Sequence, residues 1–309
     1  MNPSKLFACA IAAATAVILP LSLVGPVAQA VPPPPTPPFP LTAVPDGLGV
    51  GAGMPVIAES PGEYVPQSSC DPREKPGITK FRKLVMRHYR AGANWGSTRI
   101  CTADGISEHL EGRAWDWNAN VNNPKQFQAA ANLLQWLTEA GPDGELGYNA
   151  RRLGIMYIGY NYRIWGVYRA GDGWRVLQNE NGHTDHVHFS FTWSGAMART
   201  SFWTGQRGAE DYGPCRPYAG QPAVLHSGPQ TQPCARPPVL PAQYSGAKLL
   251  WWGSSGALVK KAQRRLHIRR NGSFGGSMQR AVARYQVAHS LPRTGAIDAV
   301  TFYSLDLNH

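Results

Sequence analysis

Ser107-Glu108-His109-Leu110-Glu111-Gly112-Arg113-Ala114-Trp115-Asp116-Trp117 and His183-Thr184-Asp185-His186-Val187-His188-Phe189 are the two stretches whose reading decides the fold. Each is dense in histidine and carboxylate, and each sits beside aromatic or β-branched residues. A metal can bind both stretches only if the chain brings them together.

Ligand bonds from zinc to histidine nitrogen or carboxylate oxygen are about 2.0–2.2 Å long, so ligands must converge. His109 and Asp116 lie seven residues apart. One continuous helix would separate them by about 10 Å along its axis. One strand would separate them by about 23 Å and put them on opposite faces. If they share a metal, the chain therefore bends between them, and Gly112 is well placed for the bend. Residues 113–117 then leave as a strand that carries Asp116 inward. His186 and His188 are spaced i, i+2, so on a strand both point to one face. A catalytic zinc commonly keeps three protein ligands and leaves a position for water, which needs a base beside it. Asp185, His186 and His183 are the candidate bases. Strand alternation alone favours His186, which shares a face with His188, and puts Asp185 on the other face unless the strand starts after it.

The bland readings compete. A single histidine is more often structural than a ligand, and an aspartate between two tryptophans can cap a turn or pair with a buried cation. Three of the nine histidines within six residues are harder to dismiss. Taken jointly, the two stretches point to a metal site.

The pattern Ser107-x-His109-x-x-Gly112-x-Ala114-x-Asp116, followed by Asp185-x-x-His188 and His186-x-His188, resembles the zinc peptidases of the LAS group. That group includes D-Ala-D-Ala carboxypeptidases and dipeptidases, endolysin L-Ala-D-Glu peptidases and murein endopeptidases. The match runs from about Cys70 to Tyr212 and is similar to an exported actinobacterial subgroup. The resemblance implies that His109, Asp116 and His188 bind Zn2+ and that Asp185 is the general base, against the strand-alternation preference. It implies that His183 and His186 support the water or the oxyanion. It also implies an upstream arginine that holds the substrate, with Arg99 and Arg90 as candidates and Arg99 preferred. Arg113, inside the motif, reads as a salt-bridge residue.

Outward from this core, the length of 309 residues fits about two domains plus extensions. Residues 1–30 read as a signal peptide: Lys5, an apolar run, then Ala28-Gln29-Ala30. Residues 31–67 are rich in Pro and Gly and read as a spacer. No span is expected after leader removal. In an exported chain Cys70, Cys101, Cys215 and Cys234 are expected to pair, with 70–101 and 215–234 favoured because each brackets one local segment.

Residues 68–213 are expected to form an α+β domain with a small antiparallel sheet and flanking helices. Phe81, Leu84 and Val85 mark one helix face. Asn123-Pro124 starts a second helix, with Phe127, Ala130, Ala131, Leu134 and Leu137 on its face. Residues 154–160, 164–168, 173–177 and 185–192 read as strands, and the tryptophans as core. Residues 214–245 read as a linker pinned by the second disulfide.

Residues 246–309 carry ten Lys and Arg against Asp298 and Asp306. A loose repeat, Val259 to Leu266 and Val282 to His289, plus a short helix from Asp298 to Leu305, makes a three-helix module. It resembles the three-helix peptidoglycan-binding domain through Gly253-x-x-Gly256-x-x-Val259-x-x-x-Gln263, Asn271-Gly272-x-Phe274-Gly275 and Thr294-Gly295-x-Ile297, with Asn271 where that family usually has Asp. Gln263 and Gln286 read as core and cap residues rather than ligand contacts.

The expected activity is hydrolysis of a peptide bond in the peptidoglycan stem peptide or cross-link, at the cell wall. D-Ala-D-Ala trimming, cross-link cleavage and L-Ala-D-Glu cleavage all fit, and the residues specify no oligomeric state. A wall-binding protein with an inactive peptidase fold is the alternative. A metal-dependent nuclease is disfavoured, because a wall-binding module would be odd on it and no carboxylate-rich magnesium cluster is present. Nucleic acid is therefore not an expected partner.

Overall fold

A computed structural model describes residues 57–177 and 182–308. The expected leader and most of the expected spacer lie outside the described residues, which all belong to one compact unit.

Helix α1, Pro76–Tyr89, opens on proline, whose missing N–H costs nothing in a first turn. Its buried face is Ile78, Phe81 and Val85. Strand β1 is Ala93–Gly96, and a single 3-10 turn covers Glu108–Glu111. Strand β2, Ala114–Asn118, follows at once. Helix α2, Pro124–Thr138, is capped as its sequence predicts: Asn123 Oδ1 accepts from the Gln126 N–H at 3.2 Å. Then come α3 (Tyr148–Leu153), β3 (Ile155–Tyr160), β4 (Arg163–Gly166), β5 (Arg175–Val176) and β6 (His186–Phe191). Two short helices, α4 (Trp193–Ala196) and α5 (Ser201–Thr204), close this half.

The strands form one sheet in the order β1-β2-β6-β3-β4-β5, antiparallel at every pairing. Its two faces differ in kind. Trp115 and Trp117 of β2 and Val187, Phe189 and Phe191 of β6 are buried together under α1 and α2. Phe81 meets Trp115, Phe189 and Phe191 edge-on, at 5.8, 5.2 and 5.4 Å between ring centres. The alternate residues, Asp116 on β2 and His186, His188 and Ser190 on β6, fall on the opposite face.

Several expectations need correction. The arm before Cys70 is not a free spacer down to Gln67. Ala58 is buried. The Glu59 carboxylate accepts from the Ser201 N–H and hydroxyl, and the Val65 carbonyl accepts from Arg113 at 2.6 Å. Among the described residues, the packed structure therefore includes the chain from Ala58 on. The expected strand 164–168 stops at Gly166, where the chain turns into 3-10 geometry over Val167–Asp172. Trp95 is not core but 52% exposed. The expected linker is a strap: Ala223 and Leu225 are buried, and their N–H groups bond to Ser68 and Arg293 carbonyls at 2.9 and 2.8 Å. Both expected disulfides form, Cys70–Cys101 and Cys215–Cys234.

The C-terminal module holds α6 (Ala257–Arg265), α7 (Gly276–Ala288) and α8 (Ala299–Ser304). Val259, Phe274, Met278, Val282, Ile297 and Phe302 form its core. Gln263 and Gln286 serve the same structural purpose in the two halves of the repeat. Gln263 Oε1 accepts from the Gly272 N–H and Gln286 Oε1 from the Gly295 N–H, at 2.8 and 2.9 Å. Each buried amide thus pins a glycine turn, as the structural reading of these residues requires.

Candidate metal centre

The bend inferred between His109 and Asp116 is present. Ser107 caps the 3-10 turn by accepting from the His109 N–H at 3.3 Å. Gly112 ends the turn with φ 66°, and its N–H returns to the His109 carbonyl. A β-carbon at Gly112 would lie 2.0 Å from the Arg73 carbonyl oxygen, so both the angle and the space exclude a side chain. The chain then reverses into β2, and His109 is stacked back over Asp116.

Strand register completes the group. Asp116 lies directly opposite His188 across the β2–β6 ladder, and Asn118 opposite His186. His188 Nδ1 is 2.9 Å from Asp116 Oδ1, and His109 Nε2 is 3.1 Å from Asp116 Oδ2. One ligand atom from each of His109, Asp116 and His188 lies within 4.8 Å of the other two, so the three could hold a metal ion.

Two observations test that fit. Nδ1 of the buried His109 lacks a hydrogen-bond partner, an expensive condition, and its Nε2 faces the Asp116 carboxylate at 3.1 Å, as a pair of ligands to one ion would. The protonation states also suit a metal. Burial opposes ionisation of Asp116, but the bonds to His109 and His188 outweigh it and hold the carboxyl far below its usual range. Burial lowers the basicity of His109, only partly offset by Asp116. A carboxylate beside the neutral imidazole of His109 is the form that binds cations.

A second layer of contacts orients His188. Its Nε2 lies 2.9 Å from Ser190 Oγ, and Ser190 donates to Glu108 Oε2 at 3.0 Å. Tyr157 donates to the same Glu108 oxygen at 2.5 Å and stacks on the His188 ring, 5.5 Å between centres. Because the Ser190 proton goes to Glu108, its oxygen accepts from His188 Nε2–H, which leaves Nδ1 facing Asp116. Burial pushes the Glu108 carboxyl up, but the Arg113 charge, the Tyr157 bond and the His188 ring together outweigh it and hold the group below its ordinary value. Arg113 is fully buried, with its Nε 2.6 Å from Glu111. This matches its reading as a salt-bridge residue.

The remaining predicted residues surround the triad. Strand β6 begins at His186, so Asp185 stands just outside it and escapes the alternation argument. Its carbonyl is fixed by the Ala119 N–H and the Asn118 amide, at 3.1 and 2.9 Å. Its half-exposed carboxylate is 2.7 Å from His186 Nδ1, and His186 Nε2 is 3.8 Å from Asp116. The His183 ring lies 4.7 Å from that of His186 and 5.8 Å from that of His188. Burial and the charges of the two neighbouring histidines push His183 down to about 4. Gly159, opposite His188 on β3, keeps that strand bare beneath the His183 ring. The exposed Arg99 donates its N–H to the His109 carbonyl at 3.1 Å, and its charge also lowers His109 basicity. Arg90 ends α1 and has no ion pair or hydrogen bond with these residues.

Glu108, Ser190, Tyr157 and Trp95 are the site residues that sequence reasoning missed. Ser190 stood two residues beyond His188, so strand alternation could have found it. Trp95 lies on the edge strand with its ring 5.6 Å from that of His186.

Two families match the chain. Residues 70–188 match the family described as VldE, C-terminal domain, a span that contains the whole triad and ends on His188. Residues 255–305 match the putative peptidoglycan binding domain, which supports a peptidoglycan-binding C-terminal module. No curated protein and no solved structure matches the chain. The module and the two disulfides point to an extracellular cell-wall location. Among the described residues, no helix is long and apolar enough to cross a membrane.

Proposed function

We propose that the chain is a secreted, zinc-dependent LAS-type peptidase that hydrolyses a peptide bond in the peptidoglycan stem peptide or cross-link. The observation that carries this reading is the convergence of His109, Asp116 and His188, with Asp185 and His186 at the rim, in a chain whose C-terminal module matches a peptidoglycan-binding family.

His109, Asp116 and His188 would hold the ion. When bound it supplies positive charge and Lewis acidity toward a water and a peptide carbonyl. Asp185 is the general base. Its carboxylate is half exposed, so it can accept a proton from an attacking water, and its bond to His186 Nδ1 fixes its orientation. The His186 and His183 rings lie beside each other, 4.7 Å between centres, and would donate to the oxygen that gains charge. Arg99, exposed and anchored by its backbone to His109, would hold a substrate carbonyl or carboxylate.

The test is incubation of the mature protein with purified peptidoglycan, with zinc and after chelation, with His188→Ala in parallel. Fragments should be released only by the zinc-loaded native protein, and their masses name the bond. Absence of fragments, with the protein still pelleting on the wall, would identify a wall-binding protein instead.

A further inference from the structure

Helix α7 contributes to two grooves, and arginines line both. The first, about 450 Å³, is lined by the apolar side chains of Leu225, Ala283, Val287 and Ala288 and by Arg280, Arg284 and Arg293. The second, about 570 Å³, shares Arg280 and Arg284 and adds Arg269. Among the described residues, no carboxylate lies within ion-pair distance of any of these four arginines. Arg73 also reaches the first groove, but Asp71 holds it through two bonds.

This is an unusual way to arrange a merely solvated face. Arg280 and Arg284 stand at i, i+4 on a helix that carries no acid, a spacing at which like charges repel. Val287, 62% exposed, lines the first groove with these guanidinium groups, together with Ala283, Ala288 and the buried Leu225. Small apolar side chains interspersed with guanidinium groups are complementary to a short peptide that alternates small apolar side chains with carboxylates. Guanidinium groups bind carboxylates through paired, directed hydrogen bonds.

We infer that the α7 surface binds the alanine-rich, carboxylate-bearing peptides of peptidoglycan, with Arg280 and Arg284 as the shared carboxylate contacts of both grooves. This inference rests on the cell-wall reading of the module and deepens it by naming the surface and the chemical group recognised. The contact is separate from the metal centre and needs no catalysis.

The experiment is co-sedimentation of the full chain with peptidoglycan sacculi, in the presence of chelator so that nothing is cleaved. The sacculi are stripped of phosphate-bearing polymers, and one portion has its carboxylates amidated. Arg280→Gln/Arg284→Gln should weaken binding to the stripped sacculi by about tenfold or more, as expected for loss of charge-assisted bonds. Amidation should weaken the native protein to the same extent and leave the double variant unchanged. Arg280→Lys/Arg284→Lys, which keeps charge but loses the fork, should fall between. Arg169→Gln, on the other half of the chain, should bind as the native protein does. A double variant that pellets like the native protein overturns the proposal while the wall reading stands. So does a double variant that loses binding only to sacculi still carrying phosphate polymers. A native protein that fails to pellet on any sacculi overturns both.

Discussion

His188 is held on three sides. Asp116 faces its Nδ1, Ser190 Oγ accepts a hydrogen bond from its Nε2–H, and Tyr157 covers its ring. The first contact comes from strand register, the others from residues with no metal-binding chemistry of their own. Removing the oxygen of Ser190 should leave the fold intact, because a small side chain remains, yet free the imidazole to adopt the wrong tautomer. Ser190→Ala is therefore expected to lower metal affinity by about 10- to 100-fold. Competition with a chromophoric chelator reads this directly, without any substrate, and Ser190→Thr should recover part of the loss. An unchanged affinity would show that the Ser190–Glu108 chain does not orient His188. At this scale the ligands were legible because histidine and aspartate at i, i+2 and across a glycine bend announce their chemistry. Glu108 and Tyr157 were not legible. Their role depends on β3 lying beside β6, a non-local pairing that no local spacing encodes.

Gly112 and the turn it ends are the element on which the triad depends. Its left-handed backbone alone would cost a residue with a β-carbon about 1–2 kcal/mol, and the contact with the Arg73 carbonyl adds to that. Gly112→Ala should thus lower the urea midpoint by more than the conformational term and weaken metal binding together, since His109 moves relative to Asp116. Loss of stability with unchanged affinity would mean that the turn is only structural. The strap after the sheet makes a different prediction. Burial raises the Asp211 carboxyl, but bonds from His226, Gln230 and Gly213 outweigh it and hold it below its ordinary value. A carboxyl depressed in the folded state contributes stability that is complete above the unfolded value, near pH 4, and is lost as pH falls through the folded one. The melting temperature of the native protein should therefore fall below about pH 4 more steeply than that of Asp211→Asn, by calorimetry across pH 2–5. Parallel curves would remove Asp211 from the acid response. The two long helices and most strands were legible from periodicity and capping. The arm from residue 58 and the strap were not, because Pro- and Gly-rich composition reports lack of regular structure and says nothing of burial. Both segments are held by isolated bonds to side chains distant in sequence, such as Glu59 to Ser201.

At the scale of the whole molecule, the joint between the module and the sheet-bearing half is built on the Cys70–Cys101 disulfide. Trp251 and Trp252 pack against the cluster that the two cysteines form with Leu110, the neighbour of His109. The Trp252 carbonyl accepts from the Cys101 N–H at 2.9 Å, and Gln279 donates to the Cys70 carbonyl at 3.1 Å. Gly253 fits between them with φ 105°, and a β-carbon there would lie 2.4 Å from Thr102 Oγ1. From the far side, Gln221 of the strap accepts from the Ala299 N–H at 2.9 Å. These contacts tie the module to the backbone that presents His109, so the two halves should unfold together. In calorimetry the native protein is expected to show one transition. Gly253→Val strains the backbone and pushes Thr102 away at the joint while leaving both cores and both disulfides intact, so it should split that transition into two. The lower should belong to whichever half has the smaller core. That is expected to be the module, which has three short helices and about 60 residues and buries a smaller share of its surface on folding. Two transitions already present in the native protein would mean that the tryptophan contact transmits no stability between the halves.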